Sequence, residues 1–296
     1  MRTRVILGAT ALLLGLPLLG ACSTSPSASE SSEGKVNIVA AFYPLQYAAS
    51  HVGGSAVSVT NLTSPGVEPH DLELSAAQVA EISSADLVLY VKGFQPAVDD
   101  AIAQEAADRA IDVSADLKLL SGTEGTDPHV WLDPANMSAI GKTIATRLAA
   151  IDPAAASTFT SGSDSLTSAM TALTREYKTA LSSCTSNKLV VSHDAFGYLA
   201  KAFGFTQVGI SGLNPEAEPS PARMRDVATV VRDNKVSTIY YETLVDPKVA
   251  ETLAAETGAQ AAKLDPLEGL VAGSTGDYLS VMKENLATLK VGQQCS

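Results

Sequence analysis

The sequence predicts an α/β protein with two parallel-sheet halves flanking one long helix. Three observations carry that reading. Short β-branched or continuously apolar runs alternate with helical runs from residue 35 onward. The rhythm then halts at a stretch of about 30 residues with no internal proline, and afterwards it restarts. At 296 residues, 46% of them hydrophobic, the chain can bury a sizeable core and fits about two domains.

In order, VNIVAAF (36–42), VSVTNLT (57–63) and ADLVLYV (85–91) read as strands buried on both faces. Between them, PLQYAASHVGG ends on paired glycines, and SAAQVAEISSA opens on a serine suited to cap a helix. DPANMSAIGKTIATRLAAI reads as a helix with Asp133 as N-cap and Pro134 at its first position. A second Asp-Pro start, Asp152-Pro153, opens the long helix, whose one glycine is Gly162. KLVVSHD (188–194), FTQVGIS (205–211), STIYYE (237–242) and AQAAKLD (259–265) are the strands of the second half. Helices lie between them: AFGYLAKAFG, one capped by Ser220 before Pro221, and one closing on Gly258. A last helix is expected over residues 277–289.

The N-terminus has a different purpose. Arg2 and Arg4 precede a leucine-rich uncharged run that stops at Leu19-Gly20-Ala21-Cys22, the pattern of a secretory signal ending in a lipobox. Cys22 is then the lipidated residue, and the Ser- and Glu-rich segment after it is a flexible leash. The expected layout is a signal peptide at 1–21, a lipidated tether at 22–35, an N-terminal lobe at 36–153, a connecting helix at 154–183 and a C-terminal lobe at 184–296. The protein is expected outside the cytoplasm, held to the membrane by lipid alone. Loss of residues 1–21 removes two arginines and no acids, leaving a net charge of −14, which argues against a nucleic-acid partner. Cys184 and Cys295 remain, and in an oxidising compartment they are expected to pair, with two free thiols as the alternative.

Three of the four histidines follow strands. His70 lies in SPGVEPHDLELS, His129 in TDPHVWLDP and His193 at the end of KLVVSH, while Asp265 lies at the end of the last strand, in KLDPL. In open α/β sheets ligands collect outside the carboxyl ends of the strands, so these groups would face one another across a cleft between the halves. Three imidazoles and a carboxylate suit a first-row metal. Their spacings of 59, 64 and 72 residues match no local motif, so spacing alone is weak support.

EPHDLELS, DPHVWLD, VVSHDAFGYLAKAFG and KLDPL, in that order behind a lipobox, resemble the metal-binding lipoproteins of ABC transporters, the cluster A-I substrate-binding proteins. The resemblance runs from about residue 36 to the C-terminus. It implies two α/β lobes joined by one rigid backbone helix, with a metal buried between them. It carries the ligand role to His70, His129, His193 and Asp265, and it implies an ABC permease of a zinc or manganese importer as partner, with the binding protein a monomer. Members resembling manganese transporters carry Glu where this chain has His193. A third imidazole favours Zn2+, with Mn2+ left open. Two departures are a short loop at 114–126 without histidine, and Leu72 and Leu74 where an aromatic and a proline are common.

Other residues are read more plainly. His51 is a solvated helix-end residue. Glu242 either accepts a hydrogen bond from an imidazole N–H or is a solvated strand end, and Glu68 either acts on His70 electrostatically or serves as a fallback ligand. Asp71 and Asp194 are expected to cap helices. The reading is a carrier, not an enzyme. A zinc hydrolase would need an open coordination position and a base, for which Glu242 is the one candidate. A surface adhesin is the remaining alternative, and nothing in the residues argues for it.

Overall fold

In the first half, strands β1 (Val36–Ala40), β2 (Val57–Asn61), β3 (Leu87–Tyr90) and β4 (Ala110–Asp112) alternate with helices α1 (Tyr43–Gly53), α2 (Ala76–Ser84) and α3 (Pro96–Glu105). A short antiparallel pair follows, β5 (Ser121–Gly122) and β6 (Gly125–Thr126), and then helices α4 (Pro134–Ile151) and α5 (Ala156–Ala180). The second half contains β7 (Lys188–Val191), α6 (Gly197–Phe203), β8 (Thr206–Gly209), α7 (Pro221–Asp233), β9 (Thr238–Tyr241), α8 (Lys248–Thr257), β10 (Gln260–Lys263) and α9 (Tyr278–Gly292). This computed structural model describes residues 34–122 and 125–296. The signal segment, Cys22 and all but the last residues of the tether lie outside the described residues.

Both sheets are parallel, in the orders β2-β1-β3-β4 and β10-β9-β7-β8. Numbered within its own half, the second sheet repeats the first. The central strands are apolar on both faces, as helix-covered parallel strands must be. Ile38 sits in register with Val59 and Leu87, and Val190 with Val208 and Ile239. Each sheet reverses its direction of winding once, between β1 and β3 and between β7 and β9, which opens a crevice at the strands' carboxyl ends.

The long helix α5 runs for 25 residues and buries Phe159, Ser163, Leu166, Met170, Leu173 and Tyr177. Spacings of four and three place them on one stripe. That stripe packs on α1 and α4 of the first half and on α9 of the second, where the Tyr177 hydroxyl donates to the Met282 carbonyl at 2.6 Å. Gly162 weakens the helical pattern for a packing reason. A Cβ there would lie 2.4 Å from the Val52 carbonyl oxygen, so only glycine lets α5 cross the end of α1. One buried cluster therefore runs continuously from β1 through α5 to α9, and a second lies under α7 and α8.

The predicted caps at Ser75, Asp133 and Ser220 all accept backbone N–H bonds. Asp152 instead caps a 3-10 turn, Pro153–Ala155, ahead of α5. Helix α3 and strands β4, β5 and β6 were not expected. They lie in short or acidic segments whose apolar periodicity is weak. Asp71 and Asp194 cap no helix: α2 is capped by Ser75, and Asp194 accepts from the Gln207 amide instead. Cys184 and Cys295 form a disulfide, reinforced by Thr185 N–H to the Gln293 carbonyl and Ser296 N–H to the Ser183 carbonyl, both 3.0 Å. Among the described residues no helix is long and apolar enough to cross a membrane.

Candidate metal centre

The two first-half histidines are presented by the same tripeptide pattern, acid-Pro-His. Proline fixes φ, and the acid folds back to accept the backbone N–H of the histidine two residues on. Glu68 does this for His70 (3.0 and 3.1 Å), and Asp127 for His129 (2.9 Å). His129 then opens the 3-10 turn Val130–Leu132. In the second half, His193 follows β7 by two residues and Glu242 follows β9 by one.

These segments meet at the mouths of the two sheets. The Nε2 atoms of His70, His129 and His193 lie 3.4, 3.1 and 3.2 Å from a single oxygen, Glu268 Oε1. His129 Nε2 and His193 Nε2 are 3.3 Å apart. The four ligand atoms of His70, His129, His193 and Glu268 fall within 4.8 Å of one another. A tetrahedral Zn2+ with bonds of 2.0–2.1 Å separates its ligand atoms by roughly 3.3–3.4 Å, close to the contacts found here. The side chains of His129 and His193 are fully buried, that of Glu268 is 1% exposed and that of His70 10%.

Asp265, the expected fourth ligand, is not in this cluster. Its carboxylate is consumed locally, accepting the Leu267 N–H at 2.8 Å and the Thr243 hydroxyl at 2.9 Å. Glu268, three residues on, occupies the fourth corner. Sequence reasoning also passed over Asp127, whose Oδ1 lies 2.8 Å from His129 Nδ1. The signal for Asp127 was the repeat of acid-Pro-His; for Glu268 it was only a second acid in DPLEG.

The outer nitrogens set the chemistry of the inner ones. Glu242 Oε1 lies 2.6 Å from His193 Nδ1 and also accepts the Ser192 hydroxyl. A carboxylate only accepts, so Asp127 and Glu242 hold the proton on Nδ1 and leave both Nε2 atoms facing inward, where they donate to Glu268 and offer a metal their lone pairs once those protons are lost. His70 has no carboxylate on Nδ1 among the described residues. Burial opposes charging of all three rings. At His193, Glu242 and Glu268 more than offset it and hold the imidazole well above its usual range. At His129, Asp127 and Glu268 do the same to a smaller degree. At His70 burial wins and the ring is pushed down. Burial also resists ionisation of Glu268, yet His193 and the hydrogen bonds from the three rings hold its carboxyl well below the usual range. Glu68 is pushed up to about 7 by burial, against the His70 N–H.

An aromatic wall backs the cluster. The Phe94 ring meets His70 edge-on at 4.6 Å, and Trp131 lies 4.7 Å from Phe42 and 5.1 Å from Phe94. Trp131 also crosses the cleft: its Nε1 donates to the Pro266 carbonyl at 2.8 Å, and its own carbonyl accepts from the Tyr278 hydroxyl at 2.6 Å. His51 stays outside, exposed at the end of α1 with its Nδ1 on the Tyr47 carbonyl.

The family model described as ZnuA, zinc-uptake complex component A, periplasmic, matches residues 38–292. The chain belongs to this family. It is 35% identical over 294 residues to the zinc-binding lipoprotein AdcA of Streptococcus pneumoniae, an alignment covering 92% of this chain and 58% of AdcA. It is 31% identical over 297 residues to the high-affinity zinc uptake system protein ZnuA of Bacillus subtilis, covering 92% and 93%. The crystal structure of the Zn(II)-bound ZnuA-like domain of S. pneumoniae AdcA superposes with a TM-score of 0.77 at 35% identity, over 88% of this chain and 99% of that domain. The chain thus spans 58% of the length of the AdcA relatives and nearly all of their ZnuA-like domain.

Proposed function

We propose that this protein captures Zn2+ outside the cytoplasm and delivers it to the permease of an ABC-type importer. The observation that carries the reading is the convergence of three imidazole Nε2 atoms on Glu268 Oε1 at 3.1–3.4 Å. Zn2+ is the cargo: three nitrogens and one oxygen at tetrahedral separations suit it, while Mn2+ prefers more oxygen ligands. Asp265 has both carboxylate oxygens committed to hydrogen bonds, and Asp127 and Glu242 each engage the outer Nδ1 of a histidine rather than the cluster.

Four protein ligands close the coordination, which suits carriage rather than hydrolysis; a catalytic zinc keeps a position for water. Glu242 faces the outer nitrogen of His193, away from where a water-activating base would stand. The relatives named for zinc binding and zinc uptake support the same cargo. The protein acts as a monomer, anchored by lipid on Cys22. The test is competitive Zn2+ and Mn2+ binding by chelator-stripped protein beginning at Ser23, beside a His193→Glu variant. One Zn2+ held far more tightly than Mn2+, with the gap narrowed in the variant, supports the proposal. Comparable binding of both metals by the unaltered protein overturns the zinc assignment.

A further inference from the structure

The segment that delivers Glu268 has a feature that the ligand set does not explain. Leu267 is fully buried and sits at φ +57°, the left-handed region that β-carbon-bearing residues avoid. Its neighbours supply the restraint. The Asp265 carboxylate accepts the Leu267 N–H on one oxygen and the Thr243 hydroxyl on the other. Asn285, buried on α9, grips the Asp265 backbone from both sides, accepting its N–H at 2.9 Å and donating to its carbonyl at 2.7 Å. From the opposite half, Trp131 holds the Pro266 carbonyl and the Gly66 N–H holds the Leu270 carbonyl at 2.7 Å. Backbone held in a sparsely populated conformation persists where the surroundings over-determine it.

We propose that Asp265 is the positioning residue for Glu268: it clamps the left-handed turn at Leu267 and thereby aims the Glu268 carboxylate at the three imidazoles. This assignment rests on the metal-site reading above. Asp265 serves the metal without touching it. A freed turn relaxes toward right-handed backbone at Leu267, which swings Glu268 out of the cluster. Thr243 and Asn285 act in the same clamp, one on the side chain and one on the backbone of Asp265.

The positioning role and a ligand role separate on substitution. Asparagine at 265 keeps a carbonyl oxygen for the Leu267 N–H but is a poor metal ligand; alanine removes the acceptor. The experiment compares Asp265→Ala, Asp265→Asn and Glu268→Gln with the unaltered protein, using Zn2+ affinity and the visible absorption of bound Co2+. We expect Asp265→Ala to weaken Zn2+ binding by about 10–100-fold, the range for groups that orient ligands. Asp265→Asn should restore most of that loss and keep the unaltered Co2+ spectrum, whereas Glu268→Gln should change it. The proposal is overturned if Asp265→Asn loses as much affinity as Asp265→Ala, if its Co2+ spectrum departs from that of the unaltered protein, or if Asp265→Ala binds Zn2+ normally. Should Asp265→Ala fail to fold, the Asp265→Asn spectrum still decides. Failure of the metal-site reading itself looks different: the unaltered protein would take up no stoichiometric metal, and Glu268→Gln would change nothing.

Discussion

The two halves share one strand order but present their candidate ligands differently. The second places His193 two residues beyond β7, almost on the sheet, with the Glu242 carboxylate behind it one residue beyond β9. The first uses loops: His70 stands nine residues beyond β2, and His129 follows the β5/β6 pair, each tied back by an acid two residues earlier. A strand end inherits its direction from the sheet, while a loop must encode its own, which is why acid-Pro-His occurs twice in the first half. The difference predicts a rigid half of the site and a more adaptable one. Within the adaptable half, His70 is the more exposed ring and has no carboxylate on Nδ1 among the described residues.

The largest effects should come from the buried corners. Replacing His129, His193 or Glu268 with alanine should cost more than about 100-fold in Zn2+ affinity, beyond the range of groups that merely orient ligands. Isothermal titration with a competing chelator measures this, and a smaller loss at His193 than at His70 would break the comparison between halves. Next come the orienting acids. Asp127→Asn and Glu242→Gln should each weaken binding by about 10–100-fold with the stoichiometry kept.

The dependence on pH sharpens the same contrast. Zn2+ needs the Nε2 lone pairs, so protonation of the rings competes with it. Ordinary imidazoles would set the fall in affinity below about pH 6. His129 and His193 are held above that range by Asp127, Glu242 and Glu268, so the fall should begin at higher pH. Asp127→Asn removes one of the raising carboxylates and should move the onset down. The sign for stability follows. A ring whose folded-state value is raised stabilises the metal-free fold below the unfolded imidazole value of about 6.5, and that contribution is lost as pH rises. The Zn2+-induced rise in Tm should therefore widen from about pH 6.5 upward, through the raised range of His129 and His193, which scanning calorimetry would show.

The disulfide should matter for stability and little for the metal. Cys184 and Cys295 are 111 residues apart, for which the chain-entropy model gives about 4–5 kcal/mol. A double serine variant should melt lower while binding Zn2+ nearly as tightly. His51→Gln should leave affinity unchanged, since its ring lies outside the cluster.

The sequence showed the strand–helix rhythm, the caps at Asp133 and Ser220 and the restart after α5, because each rests on local chemistry; the three histidines, whose long spacings match no local motif, were singled out by position after strands and by resemblance. It did not show which acid of DPLEG turns inward. That choice depends on a left-handed leucine, which local propensity argues against and which Asn285, Thr243 and Trp131 enforce from distant parts of the chain. Asp127 was overlooked for another reason: its role is visible only when Glu68-Pro69-His70 and Asp127-Pro128-His129 are set side by side. Strand β4 has three residues and β5 and β6 two each, too short for any periodicity.

The most direct test of the central claim is X-ray absorption at the zinc edge of the loaded protein. The structure predicts four light-atom ligands at about 2.0–2.1 Å, three of them with imidazole outer scattering. Two imidazoles, or a five- or six-coordinate ion, would contradict the site described here.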